Sequence, residues 1–292
     1  MDAARTVSAL LVALASATGS TVVDSSPVPG GSINRALQAR LADGRRIFVK
    51  HHPDAPAGSY RAEAEGLAWL AAADALRTPA VVAVGEGPGP RFLALEWIEA
   101  GPGGPAAQEA FGRGLAALHL SGAPAFGLDR DNAIGGLPQA NGPCETWPEF
   151  YGARRLTAMA RQAVDDGGLP PSFMDRIAGL CARLPELCGP PEPPARLHGD
   201  LWSGNAIIDA RGGPAVVDPA VYGGHREMDL AMMRLFGGFS PRVYAAYDEV
   251  HPRAAGHEDR VALFQLYPVL VHVRLFGGGY ARQAEDIVSR YG

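Results

Sequence analysis

Residues 197–218 read LHGDLWSGNAIIDARGGPAVVD, and they hold the residue types best suited to chemistry in this chain. Asp200 follows His198 and Gly199, Asn205 comes next in the same loop, and Asp218 closes the segment. Between them lie two apolar runs, 206–208 and 215–217, on either side of an Ala-Arg-Gly-Gly turn at 210–213. Two short apolar runs around a Gly-Gly turn predict a β-hairpin. That hairpin folds Asp218 back beside the loop carrying Asp200 and Asn205. Two carboxylates and an amide then converge on one point. Phosphoryl transfer from ATP needs this set. One Asp orients a hydroxyl and accepts its proton, while an Asn and an Asp hold Mg²⁺ against the phosphates. The order and spacing are those of a kinase catalytic loop followed by its metal-binding Asp.

A second signal is compositional. Of the 26 basic residues only Lys50 is a lysine; the rest are arginines. Lys is a compact point charge on a thin stem, whereas Arg is a wide planar fork. A phosphate clamp deep in a nucleotide cleft suits the first. Lys50 ends an apolar run, IFVK (47–50), which follows an Asp43-Gly44 turn. Asp-Gly between alternating runs predicts a hairpin with strands over 35–41 and 45–50. A glycine-containing turn, PGGSIN (29–34), lies one hairpin earlier, where kinase-like folds cover ATP phosphates.

These groups need elements to position them. Residues 60–73 carry a helical pattern, with Glu63, Leu67 and Leu70 on one face and Glu65 on the opposite side. A carboxylate on an apolar face requires a partner, and Lys50 is the expected one for Glu63. Residues 7–17 predict an amphipathic first helix covering the small sheet; the run is too short for a membrane span and lacks the basic flank of a signal peptide. Strands are expected over 81–84 and 92–98, with backbone groups of Glu96 and Ile98 facing an adenine edge. The breaker-rich stretch AGPGGP (100–105) then divides a lobe at 1–98 from one at 99–292. The rest reads as helical over 106–119, 147–165, 172–187, 229–236, 241–250, 259–276 (kinked at Pro268) and 280–290. Asp229 stands at a helix start as an N-cap, His51 and His52 are expected to face solvent, and His198 to pack behind its loop.

Composition bounds the function. The chain has 292 residues, 47% hydrophobic content and a net charge of −5. That is an ordinary globular balance, and it lacks the basic excess of a nucleic-acid or membrane-surface binder. Three cysteines, Cys144, Cys181 and Cys188, match no metal spacing and no disulfide framework, so a reducing, cytoplasmic setting is expected. Nothing in the sequence fixes an oligomeric state.

With these residues placed, the chain resembles the fructosamine kinase (ketosamine 3-kinase) family, a branch of the aminoglycoside-phosphotransferase and choline-kinase group. The resemblance is carried by GGSINRA (30–36), IFVK (47–50), AEAEGLAWL (62–70), GLDRDNAIGGLPQANG (127–142), HGDLWSGN (198–205), VDPAVYGGHREMDLAM (217–232) and LVHVRLFGGGY (270–280). It implies an α+β, two-lobed, protein-kinase-like fold: a small N-terminal lobe of antiparallel sheet plus helix, and a larger, mainly helical C-terminal lobe. It implies ATP-dependent phosphorylation of the 3-hydroxyl of ketosamines, with ATP and Mg²⁺ as cofactors and a small or protein-bound ketosamine as partner. Asp200 is then the base, Asn205 and Asp218 bind Mg²⁺, Lys50 holds the phosphates and Glu63 positions it. Gly31, Ser32 and Asn34 lie in the loop over the phosphates, and Trp202 walls the sugar pocket. His272 is either a pocket residue or a buried helix histidine, and Asp229 braces the catalytic loop. The roles of Asn132, Gln139 and Asn141 are not readable. Two other classes stay open: a small-molecule kinase for another amine or sugar, and a nucleotide-binding pseudokinase, which the presence of Lys50, Asp200, Asn205 and Asp218 disfavours.

Overall fold

The computed structural model describes residues 3–29, 35–87 and 89–292. Gly31, Ser32 and Asn34, expected over the phosphates, lie outside the described residues. The first part of the chain is a five-stranded antiparallel sheet in the order β1-β2-β3-β5-β4, built from Val22–Pro27, Arg35–Leu41, Arg46–His51, Val81–Gly85 (β4) and Phe92–Glu96 (β5). Alternation along β3 decides what each face does. Ile47 and Val49 turn toward helix α1 (Ala3–Thr18) and pack with Leu10, Leu14, Leu37, Ala39 and Phe92. Phe48 and Lys50 turn the other way, toward helix α2 (Ser59–Ala71), whose Tyr60, Ala64 and Leu67 pack with Leu93 and Leu95. The same alternation corrects one expectation. His51 falls on the Val49 face and is buried, so it does not flank Lys50 in solvent.

Strand β5 stops at Glu96 and not at 98. Segment 97–104 then crosses to the helical part and is tied down there: the Ala210 amide donates to the Glu99 carbonyl and the Gly101 amide to the Ile208 carbonyl, both at 2.8 Å. Helix α3 (Pro105–Leu120) opens the second part. A small hairpin follows, β6 (Asn132–Ile134) with β7 (Leu137–Gln139). The helix expected over 147–165 is continuous but not uniform: α4 (Trp147–Phe150) widens into a seven-residue π-helical stretch (Tyr151–Thr157) before α5 (Ala158–Asp165). Helix α6 (Phe173–Leu187) and strand β8 (Ala195–Leu197) lead to the loop at 198–205.

The predicted hairpin forms as β9 (Ala206–Ile208) and β10 (Pro214–Val216), with Ala206 opposite Val216. The Asp209 carboxylate fixes its turn by accepting from the Arg211 and Gly213 amides, each at 2.9 Å. Strand β11 (Tyr222–Gly224) returns to pair with β8. Helices α7 (Glu227–Leu235), α8 (Pro241–Val250), α9 (His257–Phe276, containing Pro268) and α10 (Gly279–Tyr291) complete the chain. No helix of the described residues is long and apolar enough to cross a membrane. The three cysteines are unpaired.

Candidate active site

The sheet, α2 and the 198–220 segment surround a cleft of about 1070 Å³. Its lining includes Lys50, Glu63, Asp200, Trp202, Asn205 and Asp218. The β9–β10 hairpin does what its sequence requires. The Val217 amide donates to the Asn205 carbonyl at 3.0 Å, so the strand returns directly against the loop. Asp218 follows with φ of 56°, a left-handed conformation rare for a residue with a side chain. Its carboxylate meets the Lys50 ammonium, and Lys50 donates to Glu63 at 2.7 Å. The carboxylate chosen from the helical face is therefore the one that pairs; Glu65 lies on the far side and meets Arg130 at 2.7 Å.

Burial works against the Lys50 charge, but the two carboxylates hold its pKa above the usual lysine value. Burial also raises Glu63, with Lys50 opposing the shift. Asp200 behaves differently. Burial, then the neighbouring Asp218 and Asp229 carboxylates, push its pKa up to about 7. Asn205 donates to the Asp200 backbone carbonyl at 2.9 Å and approaches its carboxylate at 3.4 Å. That amide N–H₂ fixes the loop and leaves the Asn205 side-chain oxygen as an acceptor.

The loop is braced from behind. Asp229 sits in the first turn of α7 but does not cap that helix. Its oxygens accept from the His198 and Gly199 amides at 2.8 and 2.9 Å, and from His119 Nε2 at 3.2 Å. This corrects the N-cap reading: α7 starts two residues earlier, at Glu227, and Asp229 turns its oxygens to the loop instead. Burial disfavours its charge, yet hydrogen bonds from His119 and the loop amides hold its pKa below the usual carboxylate value. His198 is packed inside, as expected. Its Nδ1 accepts from the Asp200 amide at 3.3 Å, so Nε2–H donates to the Val217 carbonyl at 2.9 Å. Burial keeps it neutral by lowering its pKa.

Gly199 is held at φ of 84°, and a Cβ there would lie 2.0 Å from the Ala220 carbonyl oxygen. Gly199→Ala combines a left-handed penalty with a backbone clash, together roughly 2–4 kcal/mol. The expected result is a Tm lower by on the order of 10 °C, read by calorimetry, with turnover lost even in the fraction that stays folded. An unchanged melt would remove the close approach from this account.

Three residues of unassigned role prove to hold the segment between Asp218 and β11, two directly and one through its neighbour. Asn132 donates to the Val221 carbonyl at 2.9 Å and Gln139 to the Ala220 carbonyl at 3.1 Å. Asn141 donates to the Asn132 side chain at 2.8 Å. Behind them Arg155, fully buried in the π-helical stretch, donates to Asn141 at 2.7 Å and lies 4.0 Å over the Tyr222 ring. Sequence reasoning did not find Arg155. A π-helical stretch is invisible to a 3.6-residue pattern, although such stretches often mark functional sites.

At the cleft's outer end, the Glu96 amide already donates to the Ala80 carbonyl at 2.8 Å, and its carboxylate accepts from Arg77 and the Ala80 amide. Its N–H is therefore taken within the sheet. Ile98 lies outside any strand, and among the described residues no hydrogen bond engages its amide. Trp202 is exposed, with its indole folded over Gly204. His272 lines the cleft between Phe236 and Phe276.

Comparison with known proteins extends this picture to the whole chain. The family model for fructosamine kinase matches residues 5–291. A probable ketoamine kinase from Synechocystis sp. is 39% identical over 269 residues, covering 90% of this chain and 88% of its own. The chloroplastic protein-ribulosamine 3-kinase of Arabidopsis thaliana is 36% identical, covering 90% of this chain and 81% of its own. The solved structure of a fructosamine-3-kinase candidate from Thermobifida fusca is 43% identical with a TM-score of 0.88, covering 97% of this chain and 98% of that one. The streptomycin–ATP complex of APH(2″)-IIa, at 13% identity and a TM-score of 0.65, covers 99% of this chain and 96% of its own; that likeness shows the fold alone. The architecture is the two-lobed, α+β, protein-kinase-like one. Because the match runs through both the sheet and the helical part, from residue 5 to residue 291, the chain belongs to the fructosamine kinase family of ATP-dependent phosphotransferases.

Proposed function

We propose that the protein transfers the γ-phosphoryl group of ATP to the 3-hydroxyl of ketosamines, the sugar adducts that glycation leaves on free or protein-bound amines. Relatives named for ketoamines and ribulosamines support this substrate class, which takes in fructosamine, ribulosamine and erythrulosamine adducts. The observation that carries the reading is the convergence of Asp200, Asn205, Asp218 and Lys50 on one cleft. Residues 1–98 and 99–292 are the two lobes, and the cleft between them takes both substrates.

Asp200 is the general base. A carboxyl with a pKa near 7 both accepts a proton at neutral pH and drives its removal, which is where acid–base catalysis is most effective. The Asn205 amide keeps its loop in register. Lys50 supplies the positive charge for the nucleotide phosphates, and Glu63 holds it from the helix side. The Ile98 amide and the Glu96 carbonyl are the adenine contacts. Trp202 and His272 bound the sugar. Three unpaired thiols suit a reducing compartment, the cytoplasm.

The donor set fits Mg²⁺. The Asn205 and Asp218 side-chain oxygens are hard ligands, and two protein ligands leave the remaining positions to water and phosphate, as this ion prefers. When bound, the ion neutralises charge on the phosphates. Among the described residues no cluster of three His, Cys, Asp or Glu forms a self-sufficient metal site. Titration calorimetry without nucleotide should therefore show no Mg²⁺ binding tighter than the millimolar range, and a clear site once ADP is present. Tight binding to the protein alone would overturn the pairing of metal with nucleotide.

The test of the function is ATP turnover with synthetic ketosamines, with the product's phosphate position read by ³¹P NMR. Phosphorylation at the 3-hydroxyl is the expected result. Turnover only with choline or an aminoglycoside would overturn it.

A further inference from the structure

Two five-residue stretches of this chain are identical. Arg-Leu-Phe-Gly-Gly occurs at 234–238 and again at 274–278. The first copy closes α7 and the second closes α9. The glycines after each Phe have positive φ, 69° and 90° in one copy and 63° and 60° in the other. Glycine lets the chain leave the helix abruptly and so uncovers the last side chain. Each copy distributes its residues alike. Arg234 pairs with Glu258 and Arg274 with Asp166, Leu235 and Leu275 pack on the helical core, and Phe236 and Phe276 stay 40% and 54% exposed.

The two copies end side by side. Phe236 and Phe276 flank the His272 ring, with centroids at 5.0 and 5.4 Å. Tyr280 stands 5.0 Å from the same ring. Trp202, on the Asp200 loop, meets Phe236 edge-on at 6.4 Å. An aromatic strip thus runs from the loop of the base out to solvent, and Trp202, Phe236, His272 and Phe276 all line the cleft. Contiguous exposed aromatic surface of this kind marks a binding site. Phe236, Phe276 and Tyr280 have no part in the chemistry described above.

The strip also has an electrostatic sign. Two helix C-termini with partial negative charge meet there against one N-terminus, that of α10 at Gly279, and the arginines of the two last turns are already paired with carboxylates. Aromatic faces attract cations. His272 Nδ1 lies 2.7 Å from the Pro268 carbonyl and must donate to it, which leaves Nε2 as an acceptor. Burial lowers the His272 pKa, which favours the neutral ring. Among the described residues lining the cleft, Lys50 is the only Lys or Arg, and it is held by Glu63 and Asp218.

We infer that this strip is the subsite for the amine end of the acceptor: the protonated secondary amine beside Phe236 and His272 Nε2, and its substituent along Phe276 and Tyr280. The inference rests on the ketosamine reading and deepens it, since it makes the amine, and not only the sugar, a determinant of specificity.

The experiment compares the 2-phenylethylamine and methylamine adducts of fructose, ribulose and erythrulose, and uses the best-accepted sugar to compare wild type, Phe276→Ala and Phe276→Tyr. An aromatic contact on the substituent is worth up to about tenfold. Wild type should favour the phenylethyl adduct by about that factor in kcat/KM, carried by KM. Phe276→Ala should reduce the preference to within about twofold, and Phe276→Tyr should restore it. Phe236→Ala should weaken both adducts in KM, because it faces the shared amine. Equal use of the two adducts by wild type, or a preference that survives Phe276→Ala, overturns this inference and leaves the kinase reading standing. Failure of wild type to phosphorylate any of these adducts, with all three sugars, overturns both.

Discussion

Asp200→Asn is expected to fold, to lose turnover by ~10²–10⁴, and to melt higher than wild type when no ligand is bound. The two effects share one cause. Asp200 sits partly buried beside two other carboxylates, and this setting pushes its pKa up to about 7. In the unfolded chain an Asp titrates near ~3.9. The folded state therefore holds the proton more tightly across the range between these values, and stability falls as pH rises through it. Above the folded pKa the wild type carries the full cost of an unwelcome charge. Asn keeps the shape, still fits beside Asn205, and never ionises. Its advantage in Tm should widen from pH 5 to pH 8, by about 2–4 °C for each kcal/mol recovered. Because Asp200 keeps some exposure to solvent, screening limits the recovery to on the order of 1 kcal/mol. Differential scanning calorimetry at the two pH values, with coupled ADP release for turnover, reads both effects. Turnover within about threefold of wild type would remove Asp200 from the role of base, since a positioned base supplies far more than that. A Tm advantage that does not change with pH would show that Asp200 is not strained by its neighbours.

The parts of this architecture that could be read from the sequence are those fixed by short-range pattern. Two apolar runs around Gly212-Gly213 specify a hairpin, and a hairpin leaves Asp218 few places to go except beside Asn205. Helical spacing put Glu63, and not Glu65, on the face that meets Lys50. Period-two alternation was equally available for His51, but proximity to Lys50 in sequence suggested solvent where alternation dictates the α1 face. What sequence could not supply is long-range. Arg155 reaches Asn141 only because a π-helical stretch carries it into the core. Asp229 serves a loop thirty residues earlier through two backbone amides, and backbone donors leave no trace in residue identities. The buried amides of the 127–142 region were visible as residues, yet their partners are the Ala220 and Val221 carbonyls, which any residue would present. The glycine-containing turn before β2 lies outside the described residues.

Lys50→Arg keeps the charge and is still expected to inactivate the enzyme. Lys50 is buried between Glu63 and Asp218, with one ammonium serving both carboxylates. A single nitrogen on a flexible stem can leave one carboxylate for a phosphate oxygen while keeping the other. A guanidinium cannot do this as easily. Its donors form a rigid planar fork that pairs a carboxylate bidentately, and here two carboxylates are within reach. The substituted guanidinium would satisfy Glu63 and Asp218 together and withhold charge from the nucleotide. It would also occupy Asp218, the proposed metal ligand. Because the buried carboxylates stay paired, the heavy penalty for an unpartnered buried charge does not arise, and Tm should stay within a few degrees of wild type. Turnover should fall by about 10²–10³, the usual cost of losing one preorganised contact to transferring charge. Removing the charge altogether gives the contrast. Lys50→Met should also be inactive but should lower Tm clearly, since Glu63 is then buried alone. The chain carries arginine at every other basic position, so a general intolerance of arginine cannot explain a loss at this one. Turnover near wild type in Lys50→Arg would mean that the ammonium's shape is irrelevant, and the phosphate role of the sheet's third strand would fall with it.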